Sequence, residues 1–245
     1  MAASQSPLLE VRGLSKTFGG LRAVDDLSFH VAEGEILGLL GPNGSGKTTV
    51  FNLIAGVFPP DQGQVYFAGH QITRFAPSRR SALGVARTFQ LVRTLPNLST
   101  LDNVLVGRLY GRERSPSVAE ARTQALALLA TVGLVEKSSY PAVKLTLAER
   151  KRLEVARALA TRPRLLLLDE PAAGLNPVEV DAALAFFGQL RAGGITLVIV
   201  EHNVRAIRGA CDRVIVLDAG KAIAEGTPEE ALAHAAVVQV YLGTP

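Results

Sequence analysis

Apolar and polar positions alternate over residues 8–12 and again over 22–31, the two-residue period of half-buried antiparallel strands. Residues 35–40 are shorter and more uniformly apolar, and a glycine-rich turn leads from them into helical spacing over 48–55. Strand pattern returns at 64–68, stops at a turn at Gly69-His70, and resumes briefly over 85–89. Between about Leu91 and Pro163 the period lengthens. Apolar residues there recur at helical spacing through 101–110, 118–132 and 147–160, and Gly111 and Pro116 separate the first two runs. Strand character reappears at 164–168, 195–200 and 213–217, with helices predicted over 178–191 and 204–210 and a terminal helix over 229–241. Strands alternating with helices predict an α/β fold whose mostly parallel sheet is covered on both faces. An N-terminal antiparallel β part precedes that sheet. A helical subdomain, residues 91–163, is inserted into a core formed by residues 1–90 and 164–245.

Composition narrows the classes. At 245 residues with 48% hydrophobic content the chain can bury a core of ordinary size. The net charge of +4 comes from basic residues scattered along the chain, and aromatics are 5%, so the clustered charge with interleaved aromatics of a nucleic-acid surface is missing. Cys211 is the only cysteine, which fits a reducing compartment, and no histidine close in sequence makes it a nucleophile. The opening MAASQSPLLE has no apolar core of a signal peptide, and runs such as 195–200 are too short to cross a bilayer. A soluble protein is expected, one that can sit on a membrane protein.

Chemistry enters at Gly41-Pro42-Asn43-Gly44-Ser45-Gly46-Lys47-Thr48-Thr49. This stretch fits G-x-x-x-x-G-K-[ST] and joins a predicted strand to a predicted helix. Glycines let the backbone wrap a phosphate with its N–H groups inward, and the helix N-terminus adds its dipole. Lys47 supplies a cation for the outer phosphates, and the Thr48 hydroxyl can ligate Mg²⁺. A second signal is Leu165-Leu166-Leu167-Leu168-Asp169-Glu170, an apolar strand that ends in two carboxylates at the carboxyl edge of the sheet. Asp169 can hold the Mg²⁺ shell, and Glu170 can serve as general base for a water attacking the γ-phosphate. The segment Leu145-Thr146-Leu147-Ala148-Glu149 reads by itself as a capping box, with Thr146 as N-cap and Glu149 as its reciprocal partner. Arg150 and Glu154, four apart, read as an ion pair on a solvated helix face.

With these motifs in place, essentially the whole chain resembles the nucleotide-binding subunit of an ATP-binding cassette (ABC) transporter, a P-loop NTPase fold. The resemblance implies ATP and Mg²⁺ as ligands and assigns further residues. Phe18 matches the aromatic on which adenine stacks, and Gln90 the glutamine that touches the metal and moves with the membrane partner. Residues 173–176 match a loop that crosses the interface between cassettes, and His202 matches the histidine that contacts the γ-phosphate. LTLAE stands where the family carries a signature close to LSGGQ, whose helix N-terminus grips ATP bound to the opposite subunit. Thr146 can replace the serine, but Leu147 and Ala148 replace both glycines and Glu149 the glutamine. Two readings stay open: a cap alone, or an altered signature that still meets the opposite nucleotide. His30, His70 and His234 show no ligand-like grouping.

Ala86-Arg87-Thr88-Phe89-Gln90, Ala172-Ala173-Gly174-Leu175-Asn176-Pro177 and Glu201-His202-Asn203 are most similar to branched-chain amino acid importers, with urea and amide importers as relatives. The implied partners are integral membrane permease subunits, a second cassette (another copy or a different chain) and, indirectly, a solute-binding protein, at the cytoplasmic face of the membrane. The apolar segment 91–98 is expected to line the groove that receives a permease helix. Two rivals are weaker on the residues. A soluble cassette ATPase of DNA repair or translation would carry paired cassettes or a coiled-coil insert, and a non-hydrolysing regulator would not need Glu170 and His202.

Overall fold

The computed structural model describes residues 6–89, 93–202 and 204–242. Two compact units emerge. One takes the chain up to Pro77 and everything from Leu167 onward; the other is Ser78–Leu166.

In the first unit β1 (Leu9–Phe18) and β2 (Leu21–Val31) pair antiparallel. β3 (Ile36–Leu40) and α1 (Lys47–Ala55) follow, then β4 (Gln62–Phe67) and β5 (His70–Gln71). The antiparallel sheet has the order β2-β1-β4-β5. Its register turns the alternating apolar residues to one side: Leu9 faces Val31 and Phe67, and Val11 faces Phe29 and Val65. That explains the period of two in the sequence.

The second sheet of this unit is built from β3, β7 (Leu165–Asp169), β8 (Thr196–Val200), β9 (Arg213–Asp218) and β10 (Lys221–Gly226), in the order β10-β9-β3-β8-β7. β3 runs parallel to both neighbours, with Ile36 opposite Leu197 and Leu40 opposite Val216. Every residue of β3, β7 and β8 is buried, as strands covered on both faces must be. α6 (Pro177–Ala192) and α7 (Val204–Ala210) share a small core of Val180, Ala206 and Ala172. Arg213, at the start of β9, donates to Glu35 Oε1 in the turn before β3 at 2.8 Å and also to Glu225 on β10.

The second unit contains α2 (Pro77–Leu83) from Ser78 on, β6 (Val85–Arg87) beside the start of β7, α3 (Thr100–Tyr110), α4 (Val118–Thr131) and α5 (Leu147–Ala160). Its helices start where the sequence offers side-chain acceptors: Ser99 takes the N–H of Asp102, and Ser117 that of Glu120. Buried Arg108 joins all three long helices, reaching Gln124 at 2.7 Å and the Ala160 carbonyl at 2.9 Å.

Three expectations change. The terminal helix is two helices, α8 (Pro228–Ala233) and α9 (Ala235–Leu242), because His234 between them is extended (φ −64°, ψ 131°). The hydrophobic pattern also passes over β10 and α2, both short and mostly exposed. Finally, Glu154 does not pair with Arg150 on a solvated face. It is 5% exposed and its carboxylate accepts backbone N–H groups instead.

Candidate nucleotide site

The glycine-rich turn leaves β3 at Gly41 and enters α1 at Gly46, and both glycines are required by contact as well as conformation. At Gly41 (φ +150°) a Cβ would stand 2.2 Å from the Leu217 carbonyl oxygen; at Gly46 (φ +105°) it would stand 2.3 Å from that of Ala23. The loop is therefore pressed between β2 and the β9–β10 turn. The Gly220 N–H donates to the Ser45 carbonyl at 3.1 Å, and the Gly220 carbonyl accepts from Asp25. The Ser45 N–H closes the turn onto the Pro42 carbonyl at 3.2 Å. Asn43, Gly44 and Thr48 are exposed, while Thr49 is half-buried.

Lys47 opens α1 and is buried, with its ammonium folded into the turn. It donates to the carbonyls of Gly41 at 2.8 Å and Pro42 at 2.7 Å, and to the Ser45 hydroxyl at 3.3 Å. Burial lowers its pKa, and the neighbouring Glu170 and Asp169 carboxylates oppose that shift. A buried ammonium beside two carboxylates is a donor set that fits a metal-bound polyphosphate, in which anionic oxygens and a cation take complementary places.

Asp169 ends β7 and is 3% exposed. Glu170 follows with φ +48°, a left-handed conformation rare for a non-glycine residue and one that concentrates at functional sites. Its N–H is held by the Val200 carbonyl at 2.9 Å, so the strand next door fixes the turn. His202, just past β8, brings Nδ1 to 3.9 Å from Glu170 Oε1 and leaves its side chain 56% exposed. Glu201, which sequence patterning does not single out as a site residue, is buried and accepts the Ala172 N–H at 2.7 Å. It thereby joins the loop after Glu170 to the residue that precedes His202. Asn176 caps α6 in a capping box with Glu179, which ends that loop.

Phe18, at the end of β1, is 42% exposed, with Phe58 edge-on to its ring at 5.5 Å and the Lys16 ammonium 5.5 Å from its centroid. An open aromatic face with a cation at hand suits a stacked base. Phe18, Gly41 to Thr49, Asp169, Glu170 and His202 all belong to the first unit. Gln90 lies outside the described residues, as do Leu91 and Val92.

In the second unit Thr146 caps α5 as its spacing predicts. The Glu149 N–H donates to the Thr146 hydroxyl at 3.3 Å, and the Thr146 N–H donates to Glu149 Oε2 at 3.0 Å. Lys137, which no sequence pattern singles out, donates to Glu149 Oε1 at 2.5 Å. The Lys137 ammonium and then the Thr146 amide hold the Glu149 carboxyl below the usual carboxylate range. The carboxylate that replaces the family glutamine is thus committed to the cap and to a lysine. Cys211 is buried and desolvation pushes its thiol up to about 12, which makes it inert.

Fold and site together define a nucleotide-binding cassette, and comparison with known proteins agrees. The ABC transporter family model matches residues 24–173, and a model described as "Branched-chain amino acid ATP-binding cassette transporter" matches residues 223–245. The chain belongs to the ABC transporter ATP-binding family and is an ATPase subunit of an ABC importer.

Among its relatives is the high-affinity branched-chain amino acid transport ATP-binding protein BraF of Pseudomonas aeruginosa. It is 38% identical, over 97% of this chain and 98% of that one. LivG of Escherichia coli, described in the same words, is 37% identical with the same coverage. Among solved structures, the ADP conformation of MJ1267, an ATP-binding cassette of an ABC transporter, superposes with a TM-score of 0.87 at 31% identity. That match covers 98% of this chain and all 100% of the other. A dimeric post-hydrolysis state of the cassette MJ0796, bound to ADP and Pi, gives 0.82 at 26% identity over 90% of this chain and 98% of that one.

Proposed function

We propose that this subunit energises uptake of branched-chain amino acids, binding and hydrolysing ATP at the cytoplasmic face of a membrane permease. The observation that carries the reading is the near full-length similarity to BraF and LivG, together with the match over residues 223–245. ATP stacks on Phe18 and its phosphates are wrapped by the turn from Gly41 to Thr49, with Lys47 turned toward them. Thr48, Asp169 and, by the family resemblance alone, Gln90 would hold Mg²⁺, which would neutralise phosphate charge. Glu170 accepts a proton from the attacking water. His202, whose Nδ1 is 3.9 Å from Glu170 Oε1, contacts the γ-phosphate.

A second cassette, packed head to tail, completes each site with the α5 N-terminus. There Thr146 presents its hydroxyl while Glu149, neutralised by Lys137, keeps the cap closed. The partly exposed Leu95 and Leu98 support permease docking in the second unit, where the segment is pinned by the buried Asn103. A solute-binding protein delivers the solute on the far side. Among the described residues no helix is long and apolar enough to cross a membrane, which is compatible with peripheral attachment.

The test is transport. Vesicles containing the cassette with its permease, charged with ATP and given the binding protein, should accumulate labelled leucine. ATP-driven uptake of urea or a short amide with none of leucine would reassign the solute.

A further inference from the structure

Glu201 is a buried carboxylate to which the reading above gives no task. It follows β8 directly and is 1% exposed, where an apolar residue would be the less costly occupant. Its main chain is fixed to the strand that feeds the phosphate loop, because the Glu201 N–H donates to the Leu39 carbonyl at 3.3 Å. Its Oε1 accepts the Ala172 N–H at 2.7 Å, across 29 positions of sequence. Ala172 is held a second time through its methyl group, which shares a small core with Val180 and Ala206. Two residues before it stands Glu170 with its left-handed φ of +48°. The Glu170 N–H donates to the Val200 carbonyl at 2.9 Å, and the Glu170 carbonyl accepts the Ala173 N–H at 3.2 Å. The end of β8 therefore grips the Glu170 turn twice, by the backbone at Val200 and by the side chain of Glu201. A strained residue keeps its conformation only where its surroundings over-determine it, and the Glu201 carboxylate supplies the bond at the far side of that turn. All of these residues belong to the first unit.

We infer that Glu201 is a positioning residue: by holding the Ala172 N–H it fixes the turn that sets the Glu170 carboxylate beside His202. The inference rests on the reading of Glu170 as general base. One residue thus serves both functional side chains, since its backbone leads into His202 and its carboxylate secures the turn after Glu170. Glu201 acts through the placement of Glu170, so its loss should slow turnover without weakening ATP binding.

The experiment uses the purified full chain and the variants Glu201→Ala, Glu201→Gln, Glu201→Asp, Glu170→Gln and the Glu170→Gln/Glu201→Ala pair. ATP affinity is measured by fluorescent-nucleotide titration, kcat from steady-state ATPase, and the slow variants by single turnover of labelled ATP. Glu201→Ala is expected to lower kcat about 10–100-fold, the scale of a small misplacement at a reacting centre, with ATP affinity within about 2-fold of the parent. Glu201→Gln keeps an acceptor oxygen at the same reach and should retain at least about a third of kcat, while the shorter aspartate should not. The double variant should match Glu170→Gln within about 2-fold, because both changes remove one function.

A Glu201→Ala protein that melts lower but turns over like the parent would overturn the inference, since its carboxylate would then serve stability alone. So would affinity falling in step with turnover, or losses that multiply in the double variant. If Glu201→Ala does not fold, Gln against Asp decides: an active glutamine beside a slow aspartate upholds the idea, and any other ranking sinks it. Parental turnover in Glu170→Gln removes the underlying reading and the inference with it, whereas a slow Glu170→Gln beside a normal Glu201→Ala removes the inference alone.

Discussion

Two glycines of the phosphate loop have left-handed φ values but different surroundings, and the contrast yields a quantitative prediction. Gly44 has φ +82° with nothing within 4 Å of where its Cβ would be; Gly46 has φ +105° with the Ala23 carbonyl at 2.3 Å. In Gly44→Ala only conformational strain opposes folding, about 1 kcal/mol. In Gly46→Ala the same strain is joined by overpacking of about 1–3 kcal/mol, since the obstructing atom is β2 backbone and cannot rotate away. The sums are about 1 and about 3 kcal/mol. For a chain of this length each kilocalorie shifts the melting temperature by about 2–4 °C. Gly44→Ala should therefore melt about 2–4 °C below the parent and Gly46→Ala about 6–12 °C below. Differential scanning fluorimetry without nucleotide measures both, and denaturant titration checks the ranking at constant temperature. Equal shifts, or a Gly46→Ala protein as stable as the parent, would refute the claim that β2 bounds this loop.

Further outcomes follow from the site. Glu170→Gln should slow ATP hydrolysis about 10²–10⁴-fold while ATP affinity in a binding titration stays within about 2-fold, the pattern of a lost general base. Lys47→Ala should weaken ATP binding itself in the same titration, and unchanged affinity would remove Lys47 from the site. Thr146→Ala removes the acceptor of the α5 cap and should cost about 1 kcal/mol in urea unfolding. Lys137→Ala should show a pH signature. The folded Glu149 pKa is held down, so the stabilisation from its partners is present above the unfolded value of about 4.3 and is lost as pH falls through the folded value. The gap in urea midpoint between parent and Lys137→Ala should therefore be open at pH 7 and shrink as pH is taken below that of an ordinary carboxyl. A gap independent of pH would mean that Lys137 acts by packing alone.

The features legible in the amino-acid order are the local ones. β3, β7 and β8 are apolar throughout because both faces are covered, and that leaves an unbroken signature in one dimension. The helix start at Thr146 carries its own acceptor three residues before a glutamate, so residue spacing alone discloses that cap, whereas the matching cap at Asn176 emerges only in the fold. The phosphate loop and the Asp169-Glu170 pair are contiguous, and their chemistry survives in sequence order. Elements without a buried face to mark them, α2 and β10, leave no period to detect. The break at His234 falls in an alanine-rich run with no proline or glycine to announce it. Spacing misleads at Glu154, because four residues from Arg150 is equally compatible with an exposed pair and with two unrelated faces. Glu201 and Lys137 act on partners 29 and 12 positions away, and contacts of that kind are set by tertiary packing.

The turn at Ala219 and Gly220 gives the far end of the polypeptide a say in how phosphate is received. The carbonyl that crowds Gly41 belongs to Leu217, whose antiparallel partner on β10 is Ala222. Shortening the chain to residue 222 would strip that edge and slacken the wall behind the phosphate loop, though no atom lining the pocket had been altered. A series of C-terminal deletions would then register as a series of ATP dissociation constants, and an affinity tag joined there would belong among the variables of any binding measurement.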